Sequence, residues 1–167
     1  QGFNQSGAER QTLAVWLNDA GYETALVGKY LNGFGLTSLD FTPPGWDRMS
    51  TFYNVPSARY YNYELRHTVA GVTTVTAHGG EEADYSTDAL REQAVSVVES
   101  VPATRPLFLM FTPYAPHAPY KAAPRDLGTW PTERNSSPAY NEADMSDKPT
   151  WMQDLGPARR RYTESVD

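Results

Sequence analysis

The sequence predicts an α/β fold with a mixed, mainly parallel sheet, because an amphipathic helical run is twice followed by a strand apolar on both faces. A β-prone stretch between these two steps adds an antiparallel hairpin. Helices that alternate with fully apolar strands cover the faces of a sheet, which is the architecture expected here.

The first step opens at Ser6-Gly7-Ala8-Glu9, which has the form of a capping box. Leu13, Trp16, Leu17 and Ala20 follow on one helical face, so a helix is expected from about residue 7 to 20. Gly21 stands where a left-handed C-terminal residue is wanted, and Thr24-Ala25-Leu26-Val27 then reads as a short buried strand. Next, Tyr61–Leu65 and Val72–Thr76 flank Ala70-Gly71 in the pattern of a hairpin. The second step starts at Ser86-Thr87-Asp88 and carries Leu90, Ala94, Val97, Val98 and Val101 at helical spacing. Pro102 and Pro106 stop it, and Leu107–Phe111 supplies a strand suited to the middle of a parallel sheet. From Pro113 to Pro149, Pro, Asn, Ser, Asp and Lys dominate, as in a long surface excursion. Two parallel strands are few for such a sheet, so residues 1–167 read as one segment of a larger domain.

Bulk composition narrows the function. The chain has 167 residues, 40% of them hydrophobic, which suits one globular domain. The longest apolar run, Leu107–Phe111, is far short of the roughly 20 residues of a spanning helix. A net charge of −6 disfavours nucleic acid and anionic membrane surfaces as partners. Arg159-Arg160-Arg161 is the only basic cluster and reads as a solvated helix face. With no cysteine, these residues hold no disulfide, thiolate metal site or cysteine nucleophile.

Chemistry is expected beyond the carboxyl ends of the two buried strands, where open α/β sheets place their ligands. After the first, Gly28, Gly33 and Gly35 allow close backbone approach, and Lys29 offers a compact cation, so an anion is the natural guest. A lysine at a strand end is also a common solvated residue. After the second, Pro113, Pro116 and Pro119 restrain His117, which suits proton transfer or anion contact, or simple packing among prolines and aromatics. His67 and His78 lack a partner at ligand spacing and read as structural or solvated. Glu81, Glu82, Glu142, Asp144 and Asp147 read as loop charges.

The string Gly21-Tyr22-x-Thr24-x-x-x-Gly28-Lys29-Tyr30 resembles the second signature of type I sulfatases. Followed in order by Leu31-Asn32, Asp84-Tyr85-Ser86-Thr87-Asp88 and Ala115-Pro116-His117-Ala118-Pro119, it is most similar to the N-acetylglucosamine-6-sulfatase branch. The resemblance implies part of an alkaline-phosphatase-like sandwich that hydrolyses sulfate monoesters of a sugar or an aryl alcohol. It assigns Lys29 and His117 as catalytic groups contacting the sulfate. Many sulfatases carry a histidine where this chain has Leu31, and Asn32 is the nearest substitute for substrate binding. The family further implies Ca2+ and a formylglycine made within a Cys/Ser-x-Pro-x-Arg motif. That motif, and an Asp-Asp pair, are absent from these residues, so the nucleophile and the metal ligands are expected in flanking segments. The isolated chain is then expected to be inactive and to expose a sheet edge through which it self-associates. The family is commonly exported. The same scaffold could serve as a phosphate or phosphonate monoesterase, and a non-catalytic binding module is the reading from a different class.

Overall fold

Glu23–Gly28 (β1) is buried along its whole length and forms the spine of the computed structural model, which describes residues 2–55, 59–129, 137–140 and 142–155. The chain divides into two units, Gln1–Ala115 and Pro116–Asp167.

In the first unit, β1 lies between Arg48–Tyr53 (β2) and Leu107–Thr112 (β5), parallel to both. Tyr63–Val69 (β3) pairs antiparallel with β2, and Val72–His78 (β4) pairs antiparallel with β3. The five-stranded order is β4-β3-β2-β1-β5, a mixed sheet in which the three parallel strands adjoin. The hairpin turns through Ala70 and Gly71, both left-handed, as a two-residue turn matched to strand twist requires.

Alternation along β1 divides the core into two layers. Ala25 and Val27 join Phe52, Leu65, Leu90 and Val97 on the face covered by Ser86–Ser100, the long helix. Leu26 packs with Met49 and Phe34 on the other, with Tyr30, Phe41 and Trp46 around them. Phe108 of β5 stacks on Trp46 with ring centroids 6.0 Å apart.

Three sequence expectations are corrected. The helix of residues 7–20 is broken: after a four-residue helix, Gly2–Gln5 (α1), Gly7 is left-handed, Ala8–Arg10 is a 3-10 turn, and the helix proper is Leu13–Asp19 (α2). The Ser6 capping box does not form, because the Ser6 hydroxyl donates to Phe3 O at 2.9 Å, while Thr12 accepts from Val15 N and starts α2. The face expected to be buried is largely open, with Leu13 and Trp16 exposed and Ala14 buried instead. Secondly, β2 supplies a third parallel strand that the pattern reading passed over. Thirdly, β5 lies at the sheet's edge rather than its middle. The helix at Ser86–Ser100 (α3), the strand at β1 and the hairpin lie where expected.

The described residues of the second unit include a 3-10 turn, Pro124–Asp126, and a short helix, Thr150–Gln153 (α4). Lys148 bridges Glu142 and Asp147, each at 2.9 Å. The Arg159–Arg161 cluster lies outside the described residues.

Candidate functional site

The carboxyl end of β1 is stitched to β5. Gly28 has φ 122°, and a Cβ there would overlap the carbonyl of Thr112, its register partner. Only glycine accommodates both demands. Immediately beyond, Lys29 N donates to Thr112 O at 2.7 Å, and the Thr112 hydroxyl donates to Lys29 O at 2.7 Å. The lysine backbone is therefore held by Thr112 through both its N–H and its carbonyl at the strand end. Among the described residues, its ammonium makes no hydrogen bond or ion pair, which leaves a compact cation for an anionic guest.

From Lys29 the chain runs into a loop with an aromatic underside. Tyr30 meets Phe34 and Trp46 edge-on, at centroid distances of 5.1 and 6.4 Å. Burial pushes the Tyr30 phenol up, so it stays a neutral donor. Leu31 and Asn32 project into solvent, and left-handed Gly33 turns the chain into the 3-10 segment Phe34–Leu36. Asn32 thus shares the Lys29 loop.

Arg66 fastens the far end of that loop, and sequence reasoning missed it. Fully buried on β3, it donates through Nη1 to Thr37 Oγ1 at 3.2 Å and Ser38 O at 3.1 Å, and through Nη2 to Phe41 O. Its guanidinium also lies 4.6 Å from the centre of the Phe34 ring. Burial depresses its pKa, and no carboxylate pairs with it among the described residues. A buried cation without a counter-charge is costly, and here carbonyl dipoles and an aromatic face compensate. In sequence, an Arg amid Leu65, His67 and Thr68 resembles the solvent face of a hairpin. Only register shows that it points under the loop.

His117 belongs to the second unit. It is exposed, its Nδ1 donates to Ala118 O at 2.8 Å, and its carbonyl accepts from Tyr120 N at 3.1 Å. The Ala118–Pro119 bond is cis and Tyr120 is left-handed, in a tight turn that spans His117–Tyr120. With Nδ1 donating, Nε2 is the basic nitrogen of the neutral imidazole. Lys29 and Asn32 thus sit together on one loop of the first unit, and His117 on a turn of the second.

His67 and His78 have structural partners. His67 bonds Ser50 Oγ at 3.0 Å and Thr76 Oγ1 at 2.9 Å, and burial, then the charge of His78, lowers its pKa. His78 stacks on Tyr63 at 4.7 Å. Glu81 caps the turn Glu82–Asp84. Among the described residues, no group of three or more His, Cys, Asp or Glu side chains is arranged to hold a metal ion.

Comparison with known proteins covers almost the whole chain: the sulfatase family model matches residues 1–166. An arylsulfatase from Volvox carteri is 29% identical over 187 residues, spanning 96% of this chain and 28% of its own length. A putative extracellular sulfatase Sulf-1 homolog from Caenorhabditis elegans is 30% identical over 89% of the chain and 20% of its own length. The human N-acetylglucosamine-6-sulfatase is 33% identical over 67% of the chain and 20% of its own length. The chain therefore spans between a fifth and three-tenths of these relatives. A solved structure, in complex with its substrate D-glucosamine-2-N,6-O-disulfate, superposes with a TM-score of 0.56 at 28% identity, over 77% of this chain and 23% of that one.

Proposed function

The chain belongs to the sulfatase family, and from that premise we propose that it is one segment of a catalytic domain hydrolysing sulfate monoesters, with a sulfated sugar as the favoured substrate class. Its fold is a partial alkaline-phosphatase-like α/β sandwich, shared with the sulfatase it superposes on. The observation that carries the reading is the clamp at β1, where Gly28 and Thr112 hold Lys29 at the strand end with its ammonium uncommitted.

The chemistry follows from charge. In sulfate ester hydrolysis the bond between sulfur and the leaving oxygen breaks, water supplies the replacing oxygen overall, and an alcohol and sulfate are released. Negative charge grows on the leaving oxygen and is spread over the sulfuryl oxygens, so fixed cations and donors stabilise the transition state more than the ground state. Lys29 faces the sulfuryl oxygens in this proposal. His117 contacts the sulfate near the leaving oxygen, where a protonated ring can donate. Asn32 supplies a neutral donor beside Lys29, at the position next to Leu31. Ca2+ and a formylglycine nucleophile are implied by the family, yet neither fits the residues present: no metal-binding cluster occurs among the described residues, and the sequence contains no Cys/Ser-x-Pro-x-Arg motif. Those groups would come from elsewhere in the parent protein.

Steady-state assays of the full-length protein with glucosamine 6-sulfate, an aryl sulfate and an aryl phosphate test the proposal. Sulfate turnover well above phosphate turnover, with kcat reduced about 10²–10³-fold in Lys29→Ala and in His117→Ala, is expected. A phosphate preference, or full activity in both variants, would overturn it.

A further inference from the structure

Beside the Lys29 loop, at the end of β2, β3 and β4, lies an open hollow of about 380 Å³. Asn54, Arg59, Asn62 and Glu64 line it, together with Tyr53, Tyr63 and His78. Among the described residues none of those four polar side chains makes a hydrogen bond or ion pair, and Glu64 is half-buried. The aromatic side is ordered: the Tyr63 and His78 rings stack within 9° of parallel, and Tyr63 Oη donates to Asp84 O at 2.9 Å.

Resting on the sulfated-sugar reading above, we propose that this hollow is a saccharide subsite, holding the sugar unit next to the one that carries the reacting sulfate. Three observations lead there. The lining suits a pyranose, whose C–H face can pack on the half-exposed rings of Tyr53 and His78, the latter backed by buried Tyr63, while its hydroxyls need donors and acceptors at the edge, both of which Asn and Glu/Arg side chains supply. One positive and one negative side chain leave the hollow without net charge, which suits a hydroxyl-rich ring better than a bare polyanion.

The position also fits. Gly28 of β1 is level with Thr51 of β2, so Tyr53 lies just beyond the level of Lys29 on the adjacent strand, and Glu64 pairs with Tyr53. Strands are about 4.8 Å apart, which puts the hollow one to three strand spacings from Lys29, roughly 5–14 Å. That is a neighbouring position on one glycan, clear of the sulfate contact itself. The two loops are also joined, because Asn54 N donates to Gly35 O at 2.8 Å and Gly35 packs against the Val55 carbonyl with no room for a Cβ.

Finally, the rim is held in a costly backbone state. Asn54 and Asn62 are both left-handed, at φ 53° and 54°, a region that non-glycine residues enter at a cost and often at ligand sites. Asn62 is fixed there by its N–H to Gly79 O at 2.7 Å.

The test compares two substrates of the full-length protein that carry the same 6-sulfated glucosamine, one a monosaccharide and one an oligosaccharide. Wild type should favour the oligosaccharide by tenfold or more in kcat/KM, chiefly through KM. Asn62→Gly, which removes the side chain but suits the left-handed backbone, and Glu64→Gln should each remove most of that preference while leaving the monosaccharide rate within about twofold, with a melting temperature close to wild type showing that the fold is intact. Equal wild-type rates on both substrates, or a preference that survives both variants, would overturn the subsite. Absence of turnover on any sulfate ester would instead defeat the sulfatase reading. The subsite would then stand or fall on NMR titration with the desulfated oligosaccharide: shifts centred on Asn62 and Glu64, lost in Asn62→Gly, support it, and no shifts there refute it.

Discussion

β1 and β5 are paired strands of equal length, yet they are treated differently by the fold. Every residue of β1 is buried, with a strand on each side and a packed layer on each face. β5 has β1 on one side and no strand on the other among the described residues, and Met110 and Phe111 remain 38% and 41% exposed. An apolar face on each side of a strand is stabilising only where both faces and both edges are covered; on an open edge the same residues are a liability. The sequence of β5 is thus that of an inner strand in an edge position. With a chain spanning a fifth to three-tenths of its relatives, this supports reading residues 1–167 as one piece of a larger sheet.

The sharpest break of this contrast lies at β1. Leu26→Ala should cost about 2–5 kcal/mol, and Gly28→Ala about 3 kcal/mol or more, since the latter meets both a forbidden φ and the Thr112 carbonyl. Urea unfolding of each variant measures this; a loss under about 1 kcal/mol at either would show that β1 is not the spine it resembles. Arg66→Met comes next. It leaves Ser38 O, Phe41 O and the Thr37 hydroxyl without their donor, at about 1–3 kcal/mol, and hydrogen exchange should accelerate over residues 34–41 ahead of β1. Uniform protection in the variant would deny Arg66 its anchoring role.

Smaller effects sharpen the comparison at the edge. In the 167-residue chain, Phe111→Ala should cost under about 1 kcal/mol, and in the full-length protein several-fold more if a further strand or layer covers β5. Equal costs in both settings would remove the case for a missing neighbour.

The smallest effect concerns His67. Its folded pKa lies below the ordinary value of 6.5, so on acidification the unfolded chain takes up the proton first. Stability contributed by the neutral ring is full above about pH 6.5, falls as pH drops through that value, and levels off below the folded pKa. His67→Gln should flatten the difference between denaturation midpoints at pH 7.5 and pH 5; an unchanged slope would assign the acid sensitivity elsewhere.

Much of this was legible in the residues themselves. The periodicity of Leu90, Ala94 and Val97 marked α3, the apolar run at 24–27 marked β1, and Ala70-Gly71 marked the hairpin, because each is a local pattern with a local cause. Gly28-Lys29 could likewise be singled out, since a glycine and a cation at a strand end are adjacent in the chain. What failed had tertiary causes. Ser6 lost its cap to the left-handed Gly7, and Leu13 and Trp16 kept the helical period yet found no cover among the described residues. The residues Arg48–Tyr53 carry too little alternation to announce β2, which is defined by pairing with β1 and β3.

By itself, then, the sequence determined the α/β class, the order of the helix-strand steps and the candidate anion-binding lysine and histidine. Tertiary structure alone decided that β5 stands at an edge, that Arg66 lies beneath the Lys29 loop, and that Asn54, Asn62 and Glu64 share a hollow. The reason is physical: propensity and capping act over a few residues, whereas register and burial set which distant residues meet, and a one-residue slip in β3 would turn Arg66 to solvent and Leu65 away from its core.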